Sequence, residues 1–217
     1  MTQGLPARRA VALGTGVLGS GLLRHALRRP HGSRSFYAWS GAVAVTWLVG
    51  ARATAAPTLG RTRPPVRSLG VPAAIGAGAF GALYAACLVA RRVPALDRAA
   101  SSVLAHADRG SSAAVLATTL ANGLGEEVFF RGAVYALAPE GSRTAVSCLA
   151  YVASTAATGN PTLVLAAGYM GTLFTLQRRA TGGILAPAVT HTVWSVLALR
   201  FLPPLFRRAP RPGRTVS

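Results

Sequence analysis

Two stretches of this chain run for the length of a membrane crossing without a charged side chain. Val71–Ala90 is unbroken, and Thr144–Gln177 is interrupted only by the helix breaker Gly159-Asn160-Pro161. About 20 apolar residues in helical geometry span the hydrocarbon core of a bilayer. In that medium each backbone amide must be satisfied within its own helix or within a closed barrel. Phe36–Gly50 and Ile184–Leu199 are shorter stretches of the same kind, and Ala10–Leu23 is shorter still and rich in glycine. Only 13% of the residues are charged, where a soluble domain carries about a quarter. The expected fold class is therefore all-α, a polytopic transmembrane helical bundle.

A net charge of +18 would point to nucleic acid if the arginines formed one face or one tail. Instead they gather in the connections: Arg24, Arg28, Arg29 and Arg34, then Arg52 to Arg67, Arg91 to Arg98, Arg178 and Arg179, and Arg207 to Arg214. Cations flanking apolar spans carry topology information and attract anionic headgroups. The partner expected is membrane lipid, with no nucleic acid. Cys87 and Cys148 lie inside apolar spans and read as small core residues. Ala10–Leu23 follows Arg8-Arg9 in the manner of a signal peptide. It lacks a small-residue cleavage site and is followed by further arginines, so it reads as a retained first helix.

Helix breakers divide the rest. Pro30-His31-Gly32-Ser33 separates the first helix from a second at 35–51, and a Pro- and Gly-bearing loop over 54–68 precedes a third at 69–91. Residues 94–110 alternate small apolar and polar groups and read as a short interfacial helix. A fourth membrane helix is expected over 112–138, kinked at Asn122-Gly123-Leu124-Gly125. Helices at 143–158 and 161–179 follow, then a last one after Gly182-Gly183 that ends at Pro203-Pro204. The expectation is about seven membrane helices plus the interfacial one. Three regions follow: N-terminal helices and loops over 1–110, a membrane core over 111–203, and a basic disordered tail over 204–217.

Five acidic residues exist in the whole chain, and two of them, Glu126 and Glu127, stand side by side in an apolar stretch. Charge at membrane depth costs about a few kcal/mol and marks protein interiors, wet cavities and functional sites. Glu127 and Arg131 are four residues apart, on one helix face and in the favourable order for pairing. Glu126, rotated by about 100°, has no such partner on its own helix and is the better placed to act as a general base or acid. Gly123 and Gly125 allow a bend or a close helix approach beside it. His191 is the one histidine well inside an apolar span, with Ser195 one turn later on the same face; His25, His31 and His106 read as solvated connection residues. A structural reading stands beside each of these. The acid–arginine pair could only fix packing, His191 could make an interhelical hydrogen bond, and Ser195, Thr155, Tyr151, Phe129 and Phe130 could be packing groups. Asn122 and Asn160 read as a helix-interior polar group and a turn residue.

The order Glu126-Glu127-x-x-x-Arg131-Gly132, an apolar hairpin, Arg178-Arg179-x-Thr181-Gly182-Gly183, then Pro187-x-x-x-His191-x-x-x-Ser195 resembles the CPBP family over roughly 112–202. These are intramembrane endopeptidases related to the type II CAAX prenyl protease, the CAAX and bacteriocin-processing or Abi group. The resemblance implies a membrane-bound CAAX-type endopeptidase of a bacterial plasma membrane, with a membrane-embedded or membrane-anchored peptide as substrate. It makes Glu126 the residue that activates water, Glu127 and Arg131 the supporting pair, and His191 the second of two histidines. It also implies a divalent metal such as zinc, with Glu126 and His191 as ligands. Two positions depart from the pattern: Ser195 stands where asparagine is usual, and Thr155, four residues after Tyr151, stands where the first histidine is usual. A catalytic zinc takes three protein ligands, so the departure leaves the set one short. Two further readings remain open: an inactive relative serving as a membrane scaffold or immunity-type binding protein, and a proton- or cation-coupled transporter. The absence of an internal repeat counts against the transporter.

Overall fold

The structure is a computed structural model that describes residues 4–54 and 69–206. Most of the loop expected over 54–68 and the tail from residue 207 lie outside the described residues. Every regular element among those described is helical: α1 Leu5–Leu27, α2 Arg34–Thr54, α3 Gly70–Ala90, α4 Pro94–Arg109 and α5 Ser112–Glu126, then a π-helical segment Glu127–Val134 continued by one α-turn, α6 Tyr135–Leu137. After a 3-10 turn at Glu140–Ser142 come α7 Arg143–Ala156, α8 Pro161–Thr181 and α9 Leu185–Phe206. The molecule is an all-α bundle.

Local chemistry sets several boundaries. Asn160 caps α8, its Oδ1 accepting from the amides of Thr162 (3.0 Å) and Leu163 (3.1 Å), and Pro161 occupies the first helical position, where a missing N–H costs nothing. Gly159 just before it and Gly182 at the end of α8 adopt φ of +73° and +72°, which a side chain would strain.

Two expected boundaries are corrected. The fourth helix has no break in its α-helical hydrogen bonding at 122–125. It runs as regular α-helix through Glu126 and then widens into the π segment, so the irregularity begins at the second glutamate. The last helix does not stop at Pro203-Pro204 but includes both and ends at Phe206. A proline removes the bond to the carbonyl four residues back, a loss confined here to the final turns.

By length and composition, α1, α3 and α9 can each cross a bilayer. Large apolar side chains stand exposed on these helices: Val17 is 76% exposed, Leu13 72% and Val71 67%. At 16 residues, α4 is too short to cross. It packs against α8 and α9.

The core is organised around Trp47 of α2, which stacks on Phe129 (centroids 5.0 Å apart) and lies 5.1 Å from Phe130. Phe129 and Phe130 are thus core residues. Glycines bring the neighbouring helices against it. A Cβ at Gly19 of α1 would overlap the Trp47 ring, and one at Gly125 of α5 would lie 3.2 Å from the Ala44 carbonyl oxygen. The second packing line ties α3 to α9 and α8: the Thr190 hydroxyl donates to the Pro72 carbonyl (2.8 Å) and accepts from Gln177 Nε2 (2.8 Å). These two lines leave α5, the π segment, α7 and α9 facing one another.

Candidate active site

The α-to-π junction falls between the two glutamates, and wider π turns inside α-helices are frequent at functional sites. Glu127 is fully buried, and one oxygen serves two donors: Oε1 accepts from Arg131 Nη1 at 3.1 Å and from His191 Nδ1 at 3.0 Å. Its Oε2 has no partner among the described residues. The sequence pairs Glu127 with Arg131 alone and sets His191 opposite Glu126. The structure puts Glu127 between Arg131 and His191, joining the π segment to α9. No spacing rule could find this, since 64 residues separate Glu127 from His191.

Arg131 is equally buried. Nη2 donates to the Gly171 carbonyl at 3.2 Å, and the guanidinium lies 4.3 Å over the Tyr151 ring and 5.1 Å over the Phe174 ring. Its backbone carbonyl accepts from Arg178 Nε at 2.8 Å, so the first arginine of the Arg178-Arg179 pair fastens α8 to the π segment. Phe174 also stacks on His191, with centroids 4.6 Å apart.

A neutral imidazole that donates through Nδ1 to this carboxylate has its lone pair on Nε2. That nitrogen faces Gly123 of α5, where an added Cβ would sit 3.3 Å away. Gly123 therefore makes room for the histidine one turn before Glu126. Glu126 is half-buried and lines the same cavity as His191, a space of about 320 Å³ that also takes in Tyr151, Thr155, Ser195 and Asn122. The rest of its wall is mainly apolar, including Leu83, Leu104, Met170, Trp194 and Leu202. A separate cavity of about 430 Å³, lined by Tyr135, Glu140, Cys148 and Arg179, shares none of these groups.

Three sequence assignments change. Tyr151 is more than packing, since it lines the cavity beside Glu126 and carries the Arg131 guanidinium over its ring. His106 is not a solvated connection residue: it sits on α4 at 4% exposure, stacked on Phe36 at 4.1 Å with Nε2 at 3.3 Å from the Leu27 carbonyl. Cys148 is half-exposed rather than core, while Cys87 is buried; both are free thiols. Ser195 is 3% exposed on the cavity wall. The Thr155 hydroxyl is turned back onto its own helix, donating to the Tyr151 carbonyl at 3.1 Å. Asn122 donates to the Ser40 and Thr118 carbonyls and so bridges α5 to α2.

The donor set does not fit a three-ligand zinc site. Among the described residues no three His, Cys, Asp or Glu side chains come together as a metal-holding group. Glu127 Oε1 is occupied by two N–H donors and His191 Nδ1 by Glu127. Glu126, His191 Nε2 and the unpartnered Glu127 Oε2 keep free lone pairs, but they do not converge as the three-ligand group a catalytic zinc takes.

No curated protein and no solved structure matches the chain. Residues 109–197, which carry both glutamates, Arg131, Tyr151 and His191, match the family described as Type II CAAX prenyl endopeptidase Rce1-like, the CPBP group that the sequence motifs resemble.

Proposed function

We propose that this protein is an intramembrane endopeptidase that hydrolyses a peptide bond with water activated by Glu126. One observation carries the reading: Glu126 and His191, 65 positions apart in sequence, line one cavity, and His191 is fixed there by Glu127. A water between the Glu126 carboxylate and His191 Nε2 has an acceptor on each side and points its oxygen toward a peptide carbonyl in the cavity. Glu126 takes the water proton as the oxygen attacks, then returns it to the leaving amine. Glu127 holds the imidazole orientation and Arg131 holds Glu127, so neither needs to touch the substrate. No metal enters this sequence of steps. The apolar remainder of the wall suits a membrane-embedded or membrane-anchored peptide, and the setting we propose is a bacterial plasma membrane.

The test compares membranes containing the wild-type protein with membranes containing Glu126→Gln at equal levels, mapping new peptide termini by mass spectrometry. Termini that depend on the wild-type carboxylate are expected, and identical sets in the two membranes would refute the reading. The short ligand set and the inward-turned Thr155 favour one alternative, an inactive membrane scaffold or binding protein. It predicts that Glu126→Gln leaves every phenotype intact while Arg131→Gln depletes the protein.

A further inference from the structure

A third cavity shares no residue with the one that holds Glu126 and His191. It is an open groove of about 680 Å³ between α1, the π segment and α7. Hydrogen bonds tie α1 across it at both ends. At one end Arg9 Nε donates to the Leu137 carbonyl at 3.1 Å. At the other the Ser20 and Ser154 hydroxyls meet at 2.8 Å, with Arg24 Nη1 donating to the Ala157 carbonyl at 3.1 Å beyond them. Between these ties the wall is apolar, formed by Leu13 and Val17 of α1 and by Phe129, Val134, Val146 and Ala150. Arg9, Ser20 and Ser154 are the only polar side chains that line it among the described residues, and the two serines satisfy each other.

We propose that this groove binds one anionic phospholipid, with an acyl chain lying along α1 and the phosphate held by Arg9 and Arg143. The dimensions select a hydrocarbon chain over a helix. A helix with its side chains is about 10–12 Å across and cannot pass between two helices that are hydrogen-bonded at both ends; a single acyl chain can. From Arg9 to Ser20 the groove follows α1 for about 16 Å, close to half of the roughly 30 Å hydrocarbon core and so the depth of one leaflet. By length and composition α1 can itself cross a bilayer. The charge selects the headgroup. At the Arg9 end, where α6 gives way to α7, two guanidiniums are anchored through Nε on consecutive residues, Arg9 on the Leu137 carbonyl and Arg143 on the Ala138 carbonyl at 3.4 Å. Among the described residues their Nη groups make no hydrogen bond, and neither arginine has a carboxylate within ion-pair distance. Guanidinium forks of this kind suit phosphate oxygens, whereas a zwitterionic headgroup brings an ammonium of its own to them. Phe129 and Phe130 line the groove and also pack on Trp47, so the bound chain braces the π segment and ties α1 to it. A ligand held only by the folded state stabilises it by mass action.

The experiment needs no proteolysis, so its outcome is separate from the reading of Glu126. Full-length protein in detergent is titrated with dipalmitoyl phosphatidylglycerol and with the phosphatidylcholine of the same chains, and binding is read by native mass spectrometry. Thermal unfolding is followed in parallel, with inorganic phosphate as a third additive. Phosphatidylglycerol is expected to bind about 10- to 30-fold more tightly than phosphatidylcholine, the range for two surface arginines, and to raise the unfolding midpoint. Arg9→Gln combined with Arg143→Gln should erase that preference. Arg28→Gln combined with Arg91→Gln, two exposed arginines outside the groove, should keep it. Ala153→Phe, which fills the groove, should weaken the binding of both lipids. Equal affinity of the wild type for the two lipids would overturn the proposal, as would an equal loss in both arginine pairs or equal protection by inorganic phosphate. A dimer that persists unchanged as phosphatidylglycerol is added would assign the groove to a second copy instead. Should the Arg9 and Arg143 double variant unfold, Ala153→Phe decides the matter, and lipid binding unchanged by it counts against the site.

Discussion

At the scale of single residues, the centre of this molecule is one carboxylate oxygen, Glu127 Oε1, that receives Arg131 and His191 together. Removing one member of a buried ion pair leaves the other charge uncompensated, at a cost of about 3–5 kcal/mol. Glu127→Gln is therefore expected to lower the thermal unfolding midpoint in detergent sharply and to reduce the level in membranes. Pairing it with Arg131→Met should restore most of that loss, because the stranded guanidinium is gone. A double variant no better than the single one would show that Arg131 matters mainly for its contacts with Gly171 and Tyr151. The four-residue spacing made the Glu127–Arg131 pair legible in sequence, since it is a local property of a helix. The link to His191 was not, because it depends on how α9 docks.

Between residues and bundle stand the helices and the glycines that decide how near they come. Gly19 lies against the Trp47 ring, whereas a Cβ added at Gly21, two positions on, would meet nothing within 4 Å. Gly19→Ala is thus expected to destabilise by about 1–3 kcal/mol, the usual cost of overpacking. Gly21→Ala should be neutral or gain up to about 1 kcal/mol from helix propensity. Comparing the two unfolding midpoints checks the close approach of α1 and α2, and equal shifts would contradict it. Most helix limits could be read from Pro30, Gly159-Asn160-Pro161 and Gly182-Gly183, where the chain chemistry forbids continuation. The π segment could not, because Glu127–Val134 has no breaker in it. Its widened turns accompany packing around Trp47 and Arg131, a tertiary matter that no local preference encodes.

For the molecule as a whole, α4 closes one side of the cavity, contributing Ala99, Leu104 and His106 to its wall. Burial and then the neighbouring His31 hold the His106 imidazole below the ordinary histidine value of about 6.5, against a smaller opposing pull from the Leu27 carbonyl. The folded protein therefore binds this proton less readily than the unfolded chain. Its contribution to stability is intact above pH about 6.5 and declines as pH falls toward the depressed folded value. Unfolding midpoints recorded from pH 8 down to pH 5 are expected to fall over that window, and His106→Gln should flatten the decline. A slope that survives the substitution would assign the effect elsewhere. The all-α membrane class was legible from uncharged runs such as Val71–Ala90, which leave the backbone few alternatives. The burial of His106 was not, since a histidine in a polar-looking segment carries no sign of which side of α4 meets the bundle.

The sharing of Glu127 Oε1 between a structural cation and a cavity imidazole has a consequence for how this protein can change over generations. An alteration at 127 disturbs the scaffold together with the imidazole, unless Arg131 changes with it. An alteration at 126 leaves the scaffold standing. For the proposed hydrolase, the viable route to an inert but durable membrane protein runs through the first glutamate.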